Sequence, residues 1–147
     1  MPPEKLIDEI DLQILAALQE NARISFAQLA RNVGLSGPAV TERVKRLEEE
    51  GVITGYHANV NLGKIGYHVS AFVRIQAPRE HFAKIISLAR SLRGVRECVH
   101  VDGNEAFYLR VAATSAAELE DIVDQFRAFG APQVAVILSS PVQKYTT

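Results

Sequence analysis

Tryptophan is absent from the 147 residues, and cysteine occurs once, at Cys98. One thiol cannot close an intrachain disulfide, which argues against a small cross-linked secreted scaffold and fits a reducing compartment. No apolar run approaches the roughly 18 residues that a membrane-spanning helix requires. Residues 1–5 lack the basic-then-apolar layout of a secretory signal, so a cytoplasmic protein without a membrane partner is expected. Neither charge is in excess, since 16 basic residues stand against 17 acidic ones. The four histidines, at 57, 68, 81 and 100, show no metal-ligand spacing. A glycine-rich phosphate loop and a nucleophile elbow are both missing. Metal, cofactor and enzymatic activity are therefore not expected.

Hydrophobic residues make up 48% of the chain and charged residues 22%, the balance of a soluble globular protein with a modest core. The charge is unevenly spread. Residues 1–60 hold six basic and nine acidic side chains, whereas residues 61–147 hold ten and eight. A nucleic-acid contact in the first half must therefore rest on where its cations sit, not on how many there are.

Up to about Val52 the apolar residues recur at helical spacing. Ile7, Ile10, Ile14, Leu15 and Leu18 share one face, and Asp8 or Asp11 suits the positive end of that helix. Ser25 is the expected cap of a second helix, with Gln28 completing a capping-box pattern and Gly34 at its left-handed end. Ser36 caps a third, with Pro38 in the first turn and Val40, Val44 and Leu47 buried. Two short helices joined by a tight glycine-containing turn, braced by a third, are what a DNA-binding helix-turn-helix needs. Ser36, Pro38, Ala39, Thr41 and Arg43 are the expected groove-facing set. Arg23, Lys45 and Arg46 are expected on phosphate. The competing reading is a structural three-helix unit in which Arg43, Lys45 and Arg46 pair with Glu42 and with the acids at 48–50. Residues 52–60 read as a short hairpin or wing, and 61–66 as the linker between domains 1–60 and 67–147.

The second half reads as strand 68–76, helix 79–92, strand 95–101, strand 106–113, a helix capped by Ser115, and strand 133–139. That order is a split β-α-β unit, a ferredoxin-like βαββαβ sandwich in an α+β protein. Both helices cover one face of the sheet, yet Phe72, Tyr108, Ala112, Ala135 and Ile137 fall on the other. A second subunit is the expected cover, with Phe72, Tyr108 and Ile137 at the dimer interface.

The runs Asp11-Leu12-Gln13-Ile14-Leu15, Asn21-Ala22-Arg23-Ile24-Ser25, Leu35-Ser36 and Arg43-Val44-Lys45-Arg46-Leu47-Glu48-Glu49-Glu50-Gly51-Val52-Ile53, followed by Gly55-Tyr56 and Asn61, resemble the Lrp/AsnC family of prokaryotic transcription regulators. The resemblance covers almost the whole chain. It implies an N-terminal winged helix-turn-helix that binds double-stranded DNA and a C-terminal domain that senses small molecules. It also implies dimers formed through the C-terminal sheets, assembly toward octamers, and a response to amino acids. The family's effector site lies partly on the turn between the second and third strands, where the usual motif is Gly-Asp-Tyr-Asp. Here Asp102 precedes Gly103, Asn104, Glu105 and Ala106, so the second acidic position, which meets a ligand's ammonium group, holds a methyl. Two other readings stay open: a ligand-independent protein that wraps DNA, and an enzyme subunit similar to sirohaem decarboxylase. The relatives of the latter are rich in Trp and His, and this chain has no Trp.

Overall fold

The computed structural model describes residues 7–104 and 106–145. They fall in two compact units that part between Asn59 and Val60, with the end of the chain from Val142 grouped with the first unit.

The first unit holds α1 (Glu9–Glu20), α2 (Phe26–Val33) and α3 (Gly37–Glu49). Asp8 caps α1 in a reciprocal box: the Asp11 N–H donates to Asp8 Oδ1 at 2.8 Å and the Asp8 N–H to Asp11 Oδ2 at 3.1 Å. Ser25 caps α2 by accepting from the Gln28 N–H, but the Gln28 side chain turns to Asn32 and Arg31, so the expected second box is only half made. Gly34 closes α2 at φ +72°, a left-handed conformation that lets the chain turn at once into α3. Ile14 and Leu18 from α1, Leu29 and Ala30 from α2, and Val40, Val44 and Leu47 from α3 form one core. Each large apolar side chain so buried contributes roughly 1.5–3 kcal/mol relative to exposure.

One charge enters this core region. Asp11 is 1% exposed, and it accepts from Arg43 Nη1 at 2.8 Å and from Arg46 Nη2 at 2.6 Å. Arg43 Nη1 also reaches the Asp8 carboxylate at 2.8 Å. Arg43, expected in the DNA groove, and Arg46, expected on phosphate, are thus turned inward to α1. The reason is positional: Arg43 lies three residues after Val40 and four before Leu47, on the margin of the buried face. Their partners are not Glu42 or the acids at 48–50 but two aspartates more than 30 residues away.

The hairpin expected over residues 52–60 is not formed, since no strand is made there. The N–H groups of Val52 and Ile53 both donate to the Leu47 carbonyl, at 2.9 and 3.0 Å, and Ile53 packs on the helical core. Tyr56 is exposed with Glu48 as its hydrogen-bond partner, and partial desolvation and that carboxylate push its phenol up. The run is held back on α3 and pairs with no strand among the described residues. The stretch 61–66 is no open linker either: Asn61 caps a 3-10 turn at Leu62–Ile65 that Gly66 closes.

The second unit is a four-stranded antiparallel sheet, order β2-β3-β1-β4, built from β1 (Val69–Gln76), β2 (Val95–Val101), β3 (Ala106–Ala113) and β4 (Ala131–Val136). This is the ferredoxin-like order expected. Helices α4 (Phe82–Ser91) and α5 (Ala116–Phe126) cover one face. Alternation decides what they bury: Ala71, Val73 and Ile75 from β1 and Phe107, Leu109, Val111 and Ala113 from β3 point inward, against Ile85, Ala89, Leu119, Ile122, Val123 and Phe126. Ser115 caps α5 by accepting from the Glu118 N–H, and Glu118 in turn accepts from Thr114, whose hydroxyl and N–H hold that carboxyl below its usual range. Two boundaries differ from expectation. Residues 79–81 form a separate 3-10 turn before α4. β4 ends at Val136, with the Ile137 N–H still donating to Ser70 at 2.8 Å, because β1 begins at Val69 and offers little further ladder.

Two outcomes follow for the first unit. Asp11→Asn should lower its stability by about 1–3 kcal/mol, less than the 3–5 of a fully buried pair because both guanidinium groups reach solvent. Denaturation followed by hydrogen exchange at α1 and α3 measures it. The Arg43 guanidinium, helped by the Asp11 backbone N–H, holds the Asp8 carboxyl below the usual aspartate range. A depressed carboxyl stabilises the fold at neutral pH and loses that contribution as pH falls below about 4. Stability measured from pH 7 to 3 should therefore fall less steeply in Asp8→Asn than in the parent.

Candidate nucleic-acid interface and sensing turn

With Val40, Val44 and Leu47 buried and Arg43 and Arg46 engaged on α1, the solvent face of α3 is left to Pro38, Thr41, Glu42 and Lys45, with Glu48 and Glu49 exposed in its last turn. Ser36 Oγ accepts from the Ala39 N–H at 3.3 Å, and Thr41 Oγ1 donates back to the Gly37 carbonyl at 2.9 Å, which fixes both hydroxyls on the first turn. The small residues there keep the helix start, with its positive dipole end, open to close approach by a phosphate or a base edge. Lys45 stands 3.8 Å from Glu49, both well exposed, a weak pair that an incoming phosphate displaces easily. Ala39 is half-buried, and Arg23 is exposed beyond the end of α1.

The structure therefore brings Ser36, Pro38, Thr41 and Lys45 together on one exposed face and pairs Arg43 and Arg46 with Asp8 and Asp11 of the first helix and its cap. It adds residues that sequence reasoning missed. Glu42 lies on the same face, four residues after Pro38, a spacing that was available in the sequence. On α2, Arg31 Nη2 donates to Gln28 Oε1 and Gln28 Nε2 donates to Asn32 Oδ1, both at 2.8 Å. This ordered polar row faces solvent on the helix that crosses the DNA backbone in such motifs.

In the second unit, β2 and β3 are joined by a turn at which Asp102, Gly103 and Asn104 are exposed and Gly103 adopts φ +86°. Glu105 lies outside the described residues. Ala106, expected to touch an effector, is 3% exposed as the first residue of β3, opposite Gln76 and Val101, and offers a ligand no polar group. No group of three or more His, Cys, Asp or Glu among the described residues is placed to hold a metal ion.

The sheet face away from the helices carries Phe72 paired with Arg110 and Ala135, and Tyr108 paired with Arg74 and Val99. Ile137, two residues past Ala135, continues that face. Phe72 is 41%, Tyr108 38% and Val99 42% exposed. The Arg110 guanidinium lies 5.0 Å from the centre of the Phe72 ring. Arg74 has a buried Nε with no hydrogen-bond acceptor among the described residues.

Comparison with known proteins agrees with this geometry. Residues 7–54 match the winged helix-turn-helix DNA-binding family, and residues 70–146 match the Lrp/AsnC ligand binding domain. An uncharacterized HTH-type transcriptional regulator of Bacillus subtilis, YezC, is 40% identical over 135 residues, 91% of this chain and 95% of its own length. The solved structure of B. subtilis LrpC superposes with a TM-score of 0.89 at 30% identity, covering 94% of this chain and 99% of that one. The feast or famine regulatory protein of Mycobacterium tuberculosis, solved in complex with L-methionine, gives 0.84 at 31% identity over 95% and 97% of the two chains. No helix among the described residues is long and apolar enough to cross a membrane. With both domain types matched in sequence and in fold, the chain belongs to the Lrp/AsnC family, whose relatives here are HTH-type transcriptional regulators.

Proposed function

We propose that this protein is a transcription regulator that reads duplex DNA through the outer face of α3, acts as a dimer, and answers to a small molecule bound near the β2–β3 turn. The observation that carries the reading is the division of labour on α3. Its arginines hold the helix against α1, and Ser36, Pro38, Thr41 and Lys45 remain exposed from its N-cap to its third turn. Thr41 suits a thymine methyl or a base edge, while Lys45 and Arg23 suit phosphate.

Dimerisation is supported by the second face of the sheet. Phe72 on β1, Tyr108 on β3 and Ile137 just past the end of β4 place apolar surface on the sheet face that no helix covers. A second copy laid face to face buries that surface, and the unpaired Arg74 Nε then finds an acceptor on it. The exposed turn at Asp102, Gly103 and Asn104 stands where the family holds effectors, and L-methionine is the ligand of the M. tuberculosis relative. Such a ligand acts only by binding one assembly more tightly than another, and about 1.4 kcal/mol of that difference changes DNA affinity tenfold.

Three outcomes test the reading. Lys45→Ala should weaken matched and scrambled duplexes alike and flatten the salt dependence by about one charge. Gel shifts over a salt series measure it, and binding identical to the parent would place the interface elsewhere. Ile137→Glu sets a carboxylate on the apolar face, and light scattering should then show monomer or aggregate. A variant that stays dimeric at micromolar concentration contradicts that interface. Calorimetry with L-methionine and the other amino acids, repeated on Gly103→Trp, should show a hit that the substitution abolishes. A blank across the series favours ligand-independent DNA wrapping.

A further inference from the structure

The free edge of the sheet holds an arrangement that DNA reading, the outer sheet face and the β2–β3 turn all leave unused. β2 is an edge strand, and its ladder with β3 slips between Val95 and Glu97, leaving Arg96 as the extra residue. Val95 and Cys98 keep to the helix-covered side, opposite Val111 and Leu109. A bulge of this kind bends the strand and re-aims the extra side chain. Between this stretch and α4 lies an open groove of about 380 Å³ whose lining includes apolar Ile86, Ala89 and Val95 together with Arg90 and Arg96. Small-molecule sites begin at about 300 Å³.

The electrostatics of the groove are unbalanced. Arg90 and Arg96 are both exposed, and neither has an acidic partner among the described residues. The groove's own acid, Glu97, offsets only one of these two charges and sits in a weak, exposed pair. It lies 3.9 Å from Arg110, whose guanidinium covers Phe72 on the opposite face of the sheet. Two guanidinium groups against one carboxylate leave the groove net positive beside an apolar floor on which Ile86 is 40% exposed.

We propose that this groove binds a small organic carboxylate with an apolar body, its carboxylate taken by Arg90 and Arg96 and its body laid on Ile86, Ala89 and Val95. The planar fork of arginine matches a carboxylate in two parallel hydrogen bonds, and the anion relieves the repulsion between two like charges. A nucleic-acid backbone has no use for the apolar floor, and a purely apolar ligand has none for the arginines. The arginine end of the groove is separate from the β2–β3 turn, while its other end, at His100 and Phe107, lies two residues before Asp102 and one after Ala106. Val95 stands at the other end of β2 from Asp102, roughly 20 Å away at a strand rise of about 3.3 Å per residue. The proposal stands whether or not the chain regulates transcription.

Cys98, the one thiol of the chain, also lines the groove and reports on it. Burial pushes that thiol up, so its alkylation is slow and sensitive to further cover. The full-length protein is treated with iodoacetamide in the presence of 4-phenylbutanoate or its neutral amide, and Cys98 labelling is followed by mass spectrometry. The acid should slow labelling by about tenfold at ten times its dissociation constant, and the amide should not. The double variant Arg90→Gln/Arg96→Gln, altered only at exposed positions, should label at the parent's unliganded rate and lose the protection. Calorimetry with the same two compounds reads binding directly should the thiol prove too slow, with heat expected from the acid alone. Equal protection by the amide, protection that survives in the double variant, or a blank titration with the acid overturns the proposal. So does protection by duplex DNA in place of the carboxylate, or by raising the protein concentration without ligand, which would make the groove a contact between copies.

Discussion

Asp11 carries its carboxyl group into a three-helix unit that is otherwise apolar inside, where it accepts from Arg43, Arg46 and the Asp8 N–H. An unpaired carboxylate in that place would cost several kcal/mol. With both arginines on α3 and the carboxylate on α1, the network fixes the rotation of α3 about its own axis. That rotation decides which side chains remain for DNA. The apolar contacts of Val40, Val44 and Leu47 hold α3 in place but would tolerate small turns about the axis. A carboxylate bridged to two guanidinium groups tolerates far less.

The same network changes how the charge of the first half is to be understood. Residues 1–60 are already net acidic, and two of their six cations are used internally. Lys45, Arg23 and the Arg31–Gln28–Asn32 row are what remain on the described surface for phosphate. So few cations give a single domain little non-specific affinity. The proposed dimer answers this, because two weak domains held together act at a high effective concentration. In this account the outer sheet face and the recognition helix are parts of one binding design.

Much of this was legible in the chain itself. Hydroxyl caps at Ser25, Ser36 and Ser115 and the alternation along β1 and β3 depend on neighbours within a few residues, and each stands where local chemistry places it. The ferredoxin-like order followed from the sequence of periods, and the second apolar face from alternation alone. What escaped depends on distant partners. Arg43 and Arg46 read as DNA contacts because nothing local shows that Asp8 and Asp11, more than 30 residues earlier, fold onto them. The wing over 52–60 had the right residue types, but a strand exists only with a partner, and Leu47 and Glu48 hold that segment instead. The Arg96 bulge is a property of register, which residue types do not reveal.

The central claim is that α3 spends its arginines on Asp11 and meets DNA with Ser36, Thr41 and Lys45. Nuclear magnetic resonance of the arginine and lysine side chains during titration with a bound duplex tests it most directly. The Lys45 ammonium and the backbone amides around Ser36 and Thr41 should shift on binding, while the Arg43 and Arg46 guanidinium signals keep their free-protein positions. Guanidinium signals of Arg43 or Arg46 that move as far as those of Lys45 would mean that the clamp opens onto DNA, and the account would be wrong.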